Sequence, residues 1–278
     1  MTSRQYIAAA VQLCSTEDIE SNLNSTESQI RHAAKLGASL VAVPENFSFL
    51  RINADTPQPY VGLEHPIVQR MQALAQELNV HLILGSIPEP SKIEGKVHNA
   101  SVYIDNGGKI VGVYRKMHLF DIDIPGSVTL KESDHITAGN EPVVVKAGLG
   151  AIGLSICYDL RFPEIYRAMT IAGARVLLCP AAFTLHTGKD HWLPLLRARA
   201  IENQAYVIAP GQFGKHGGKR HSYGKSTIID PWGIPLAIAA DGVGVAIGEV
   251  NYEQQDEIRK GLPCGDHRHS FFWPDKTE

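Results

Sequence analysis

The chain has 278 residues, 26 Lys and Arg against 29 Asp and Glu for a formal net charge of −3, and 44% hydrophobic against 20% charged residues. Such a composition excludes disorder, and an even charge balance without a local basic run excludes a nucleic-acid footprint. No apolar stretch reaches the ~18 residues that cross a bilayer, and Met1 to Gln5 lacks the charged-then-apolar plan of a signal peptide, so a cytoplasmic protein with neither a nucleic-acid nor a membrane partner is expected.

In chain order, the pattern predicts a strand over 6–13, a helix over 18–36 with Ile19, Leu23, Ile30 and Ala34 apolar, a strand over 39–43, a helix over 65–79 and a strand over 81–87. A hairpin is predicted over 97–115, turning at Asp105-Asn106-Gly107-Gly108. There follow a strand over 150–156, a helix over 163–173 opened by Pro163, a strand over 175–179, a helix over 189–203 and a strand over 205–210. A second hairpin region is predicted over 225–250, with turns at Pro231-Trp232-Gly233 and Asp241-Gly242. The strand runs mostly lack alternation, which fits strands buried on both faces. Strand and helix alternate, so the class is α/β with mixed sheets covered by helices. One domain is expected through residue 262, followed by a tail over 263–278 that carries Phe271, Phe272 and Trp273. An apolar tail must dock on its own body or on a second subunit.

Three apparent motifs fail on context. Gly148 to Gly153 spells G-x-G-x-x-G, but the dinucleotide fingerprint must open a helix. Here Leu154-Ser155-Ile156 continues as strand, so the glycines are read as a turn between strands and a nucleotide-dependent oxidoreductase is set aside. Gly218 to Ser226 nearly spells a P-loop, yet Lys219 occupies the place of its first glycine. It is read as a basic, Gly-rich loop whose Lys215, Lys219 and Arg220 are solvated charges first and holders of an anionic substrate second. His186 with His191, and His267 with His269, match no zinc spacing, and no metal is expected. Cys14, Cys157, Cys179 and Cys264 form no C-x-x-C pair, which argues against both a disulfide framework and a thiolate zinc site.

Three segments are apolar runs that end in a reactive side chain: Leu40 to Glu45, Ile110 to Lys116, and Gly153 to Cys157. If the first and third strands run parallel, their C-terminal ends lie along one edge of the sheet, where ligands bind in open α/β sheets. Cys157 lies just before the helix that Pro163 opens, and helix amides would lower its thiol pKa. Singly, each residue has an ordinary reading: a buried thiol for Cys157, solvated charges for Glu45 and Lys116. Together they supply a nucleophile, a carboxylate base and a cation for the tetrahedral oxyanion, which are the roles of acyl transfer.

The segments V-P-E-N-F at 43–47, Y-R-K-M-H-L-F at 114–120 and C-Y-D-L-R-F-P-E at 157–164 resemble, in order, the signatures of the nitrilase (carbon–nitrogen hydrolase) superfamily. The resemblance covers about residues 5–262. It implies a four-layer α-β-β-α sandwich that assembles as a homodimer or higher homo-oligomer, with the tail at the dimer interface. It also implies a Glu45, Lys116, Cys157 triad joined by Glu132 as a supporting carboxylate, and no cofactor. Tyr158 is expected to contact the substrate and give its N–H to the oxyanion. The stretches at 114–126, 191–204 and 222–233 resemble the branch that contains deaminated-glutathione amidase and ω-amidase. This implies an anionic 2-oxo acid amide as the small-molecule substrate: deaminated glutathione, cut to 2-oxoglutarate and cysteinylglycine, or alternatively 2-oxoglutaramate. Arg161, Arg197, Arg199 and the basic loop are the candidate cations, with pairing to Glu164 or Asp159 as the other reading of Arg161. A non-catalytic binding protein on the same scaffold would be expected to have lost one of the three roles.

Overall fold

The computed structural model describes residues 4–53, 55–124 and 128–269. Two six-stranded mixed sheets form its centre. The first is built from β1 (Gln5–Gln12), β2 (Ala38–Ala42), β3 (His81–Pro90), β4 (Val97–Ile104), β5 (Ile110–Arg115) and β16 (Gly244–Asn251), in the order β16-β1-β2-β3-β4-β5. The second contains β8 (Val143–Ala147), β9 (Gly150–Leu154), β10 (Val176–Leu178), β11 (Tyr206–Ala209), β14 (Thr227–Ile229) and β15 (Pro235–Ile238), in the order β15-β14-β11-β10-β9-β8. Two hairpins stand apart, β6 (Asp121–Ile124) with β7 (Val128–Lys131), and β12 (Phe213–Gly217) with β13 (Arg220–Tyr223).

Helices α1 (Ile19–Lys35) and α2 (Pro66–Leu78) cover the first sheet, and α3 (Pro163–Ile171) and α4 (Leu185–Asn203) cover the second. A fifth helix, α5 (Tyr252–Gly261), follows β16. The helix limits have local causes: Asp18 accepts the Ser21 N–H at 3.0 Å to cap α1, Pro66 opens α2, and left-handed Asn79 and Gln204 close α2 and α4.

The absence of alternation in the central strands follows from this stacking. In β1, Ala8 and Ala10 pack into the core between the sheets, while Ala9 and Val11 pack under α1 and α2. β2 divides likewise, Leu40 and Ala42 to the inter-sheet core and Val41 to the helix layer. All seven are fully buried. Each large aliphatic side chain so placed contributes ~1.5–3 kcal/mol relative to exposure.

The expected elements recur with shifts of a few residues at their ends, the largest being α4, which begins at Leu185 rather than 189. Two expectations are corrected. The strands leading to Glu45 and Cys157 do not share a sheet edge: β2 lies in the first sheet and β9 in the second. The 225–250 region is not one hairpin, because β14 pairs with β15 in the second sheet whereas β16 crosses to pair with β1. Phe271, Phe272 and Trp273 of the tail lie outside the described residues. Among the described residues no helix is long and apolar enough to cross a membrane.

Candidate active site

Glu45 stands just beyond the end of β2. The Val43 N–H donates to Ile83 O at 3.0 Å, which keeps the chain alongside β3 past the last strand residue. Gly85 of β3 admits this path, since a Cβ there would lie 2.1 Å from Val43 O. Asn46, at φ 58°, then turns the chain away. Lys116 directly follows β5, its N–H donating to Asn99 O at 2.9 Å and its carbonyl accepting the Gly139 N–H at 2.8 Å. Gly139 is again a close approach: a Cβ would meet Arg115 O at 2.2 Å. Cys157 has φ 49°, left-handed and strained for a cysteine, and begins a 3-10 turn over Cys157–Arg161. Its N–H donates to Pro180 O at 2.9 Å. All three side chains are buried.

The structure brings these residues together although they come from two sheets. Lys116 Nζ donates to Glu45 Oε1 at 3.2 Å and to Glu132 Oε1 and Oε2 at 3.0 and 2.8 Å. Asn99 Nδ2 donates to Glu45 Oε1 at 2.8 Å and Glu132 Oε1 at 3.2 Å, so one amide ties both carboxylates. Glu45 Oε2 accepts the Ala182 N–H at 2.7 Å, and the Cys157 thiol donates to the same carboxylate. Glu132, which opens a 3-10 turn after β7, also accepts the Phe120 N–H at 2.6 Å.

Burial would push the Glu45 carboxyl up, but the Lys116 charge and the donors around it hold it below the usual carboxylate range. Burial would lower Lys116, yet Glu132 and Glu45 hold its ammonium well above the ordinary lysine value. For Cys157, burial and then the Glu45 charge raise the thiol far above its ordinary value, against the opposing pull of Lys116. This corrects the expectation of a thiol activated by helix amides. The 3-10 turn separates Cys157 from α3, and the charge beside its sulfur is a carboxylate. The arrangement is a neutral thiol donating to an ionised carboxylate beside a fixed ammonium, competent for general-base-assisted attack on a carbonyl.

Asp159 is fully buried and, among the described residues, pairs with neither Arg161 nor another arginine. It accepts from Tyr114 Oη at 2.7 Å, the His118 N–H at 3.1 Å, His118 Nδ1 at 2.7 Å and the Ile156 N–H at 2.8 Å. It thereby joins the residues flanking Lys116 to the residue before Cys157. Arg161 instead lies 5.3 Å from the Phe183 ring centre and 5.8 Å from that of Tyr158, with His191 Nδ1 at 3.3 Å from its Nη1. The half-buried Tyr158 ring packs edge-on to Phe120 at 4.9 Å and Phe162 at 5.4 Å. Arg197 donates to Gly233 O, and Arg199 to Leu160 O and Glu202, so both are structural. Gly148 to Gly153 form the turn and strand of the β8–β9 hairpin. Among the described residues, no three His, Cys, Asp or Glu side chains gather in a metal-holding group.

Sequence reasoning missed Asn99, Ala182 and the linking role of Asp159. Asn99 had a weak signal, a polar amide within the apolar run of β4. The Ala182 donor is backbone and has none.

A family model described as carbon–nitrogen hydrolase matches residues 7–260. The chain is 42% identical over 268 residues to the deaminated glutathione amidase of Synechocystis sp., covering 95% of this chain and 98% of that protein. It is 40% identical over 272 residues to the deaminated glutathione amidase of Bos taurus, covering 94% and 81%. The crystal structure of the C. elegans NitFhit protein superposes with a TM-score of 0.89 at 36% identity, over 97% of this chain and 66% of that longer one. The two stacked sheets with helices on both outer faces are therefore the nitrilase-type α-β-β-α sandwich. With the family model spanning nearly the whole chain and this identity sustained end to end, the chain belongs to the carbon–nitrogen hydrolase family and hydrolyses carbon–nitrogen bonds other than peptide bonds.

Proposed function

We propose that the protein hydrolyses deaminated glutathione to 2-oxoglutarate and cysteinylglycine through a thioester on Cys157. The observation that carries the chemistry is the buried cluster in which Glu45 accepts the Cys157 thiol and also binds Lys116, itself held by Glu132. The substrate rests on the similarity to amidases named for it.

The Cys157 sulfur attacks the amide carbonyl as its proton passes to Glu45. The oxyanion forms against Lys116 and the Tyr158 N–H. Glu45 returns the proton to the departing nitrogen as the C–N bond breaks, leaving the thioester. A water then gives a proton to Glu45 and attacks the thioester, and the sulfur leaves with that proton as thiol. Glu132 and Asn99 hold Lys116 and Glu45 in place throughout. Arg161, beside Tyr158, receives a carboxylate of the leaving half.

The catalytic unit spans 1–262 and works as a homodimer. Exposed Ile171 and Leu185, on α3 and α4, support pairing through those helices. Four free thiols suit a cytoplasmic location.

The deciding measurement compares turnover of deaminated glutathione with that of 2-oxoglutaramate, using Cys157→Ala as the control. Faster turnover of deaminated glutathione, lost in a folded Cys157→Ala protein, is expected. Preference for 2-oxoglutaramate would reassign the substrate, and full turnover by Cys157→Ala would refute the mechanism.

A further inference from the structure

A doubly anionic substrate needs a cation near the reacting carbon as well as one at the leaving half, and the candidates differ sharply in what already occupies them. Arg197 and Arg199 are committed to backbone carbonyls, and Lys225 to Asp241. Lys215 and Lys219 are exposed on the hairpin. Arg220, at the start of β13, is different. It is half-buried, and among the described residues one of its five N–H donors is placed, Nη1 on Arg51 O at 2.6 Å. Among the described residues no carboxylate lies within ion-pair distance of it.

Its location is set by the β12–β13 hairpin. At the hairpin base the Phe213 N–H donates to Leu13 O at 2.8 Å, and the Tyr223 N–H donates to Phe183 O at 2.9 Å. Thr184 and Ser222 form a bridge. Arg220 itself reaches Arg51, in the segment that follows Glu45. The hairpin thus joins the loop after Glu45 to the loop whose Ala182 N–H holds that same carboxylate. Within this frame, burial pushes the Arg220 guanidinium down while Glu45, Cys157 and Glu132 all act on its charge in the other direction. Arg220 is therefore a half-buried cation on the frame that carries Glu45 and, among the described residues, it has no carboxylate in ion-pair contact. Such a group is costly unless an anion comes to it, and a guanidinium fork matches a carboxylate in geometry.

We propose that Arg220 receives the carboxylate of the acyl half of the substrate, so that the site selects monoamides of dicarboxylic acids over neutral amides of equal chain length. The assignment rests on the amidase reading above, and it makes the near-miss P-loop a substrate clamp: the glycines let the hairpin turn tightly while Arg220 supplies the charge. The acyl half is chosen because it stays on Cys157 through the thioester, in the field that Arg220 shares with that sulfur.

The test measures kcat/KM for glutaramate and for pentanamide in the wild type and in Arg220→Gln and Arg220→Lys. The wild type is expected to prefer glutaramate. Arg220→Gln should lower the glutaramate-to-pentanamide ratio by about 100-fold, mostly through KM, with Arg220→Lys intermediate. An unchanged ratio in folded Arg220→Gln would overturn the proposal, and so would a wild type that uses the two amides equally, whatever the variants do. Failure to cleave deaminated glutathione while the Arg220-dependent ratio holds would remove the substrate reading and leave this assignment standing. Equal cleavage of deaminated glutathione by wild type and Arg220→Gln would do the reverse.

Discussion

At the scale of single residues, the reactivity of Cys157 depends on which charge sits nearest its sulfur. Glu45 raises the thiol and is itself held low, so proton transfer between them occurs at attack rather than at rest. The signs fix the pH behaviour. As pH falls, Glu45 stays ionised past the ordinary value of ~4.3, so the acid limb of kcat/KM lies below it; as pH rises, Cys157 stays a thiol past ~8.5. Alkylation of Cys157 by iodoacetamide is thus expected to show no step near ~8.5, and a clear step there would mean that the thiol titrates independently of Glu45. Lys116→Ala removes both the oxyanion cation and the charge that lowers Glu45. Turnover should fall by two orders of magnitude or more, the loss of ~2.7–4 kcal/mol typical of one oxyanion donor, and the acid limb should move to higher pH. Glu45, Lys116 and Cys157 were legible because each is a reactive side chain closing an apolar run. The direction of the thiol shift was not, because its causes, burial first and then a carboxylate contributed by the other sheet, arise only in the fold.

At the scale of elements, the 3-10 turn over Cys157–Arg161 and the segment from Tyr114 to His118 form one unit through Asp159. Each carboxylate oxygen accepts from two donors: Tyr114 Oη and the Ile156 N–H on Oδ2, the His118 N–H and its Nδ1 on Oδ1. Asp159→Asn would turn an amide NH2 toward one of these donor pairs, at ~1–3 kcal/mol for each buried group left unpaired. Turnover and the alkylation rate of Cys157 should fall together, about tenfold or more, at temperatures where the variant is folded. A lower Tm with both rates unchanged would show that Asp159 stabilises without positioning. Tyr114→Phe removes one donor and keeps the carboxylate, so its effect should be smaller. The strands and helices themselves were readable from apolar periodicity and caps. Asp159 was not readable as a link, since sequence spacing offers Arg161 as a partner two residues away, while the side-chain partners lie 41 and 45 residues distant.

At the scale of the whole molecule, the site lies where two sheets meet, and Glu45 and Cys157 are brought together only by the stacking of one sheet on the other. Sequence patterning could not show this: a strand buried on both faces reads the same whether its neighbour layer is a helix or a sheet. The consequence is a division of labour between the two cores. Leu40 packs in the inter-sheet core and Leu82, on the adjacent strand, packs under the helix layer; both are fully buried. Leu40→Ala and Leu82→Ala make the same chemical change and should each cost about 2–5 kcal/mol in stability. Their effects on catalysis should differ. A cavity at Leu40 loosens the seam that sets the Glu45 to Cys157 contact, whereas a cavity at Leu82 loosens only the attachment of the outer helices. Denaturant unfolding is expected to show comparable losses for the two variants, while kcat/KM, measured where both remain folded, falls several-fold for Leu40→Ala and little for Leu82→Ala. Equal losses of activity would mean that the two layers respond as one body and that the seam has no special hold on the site.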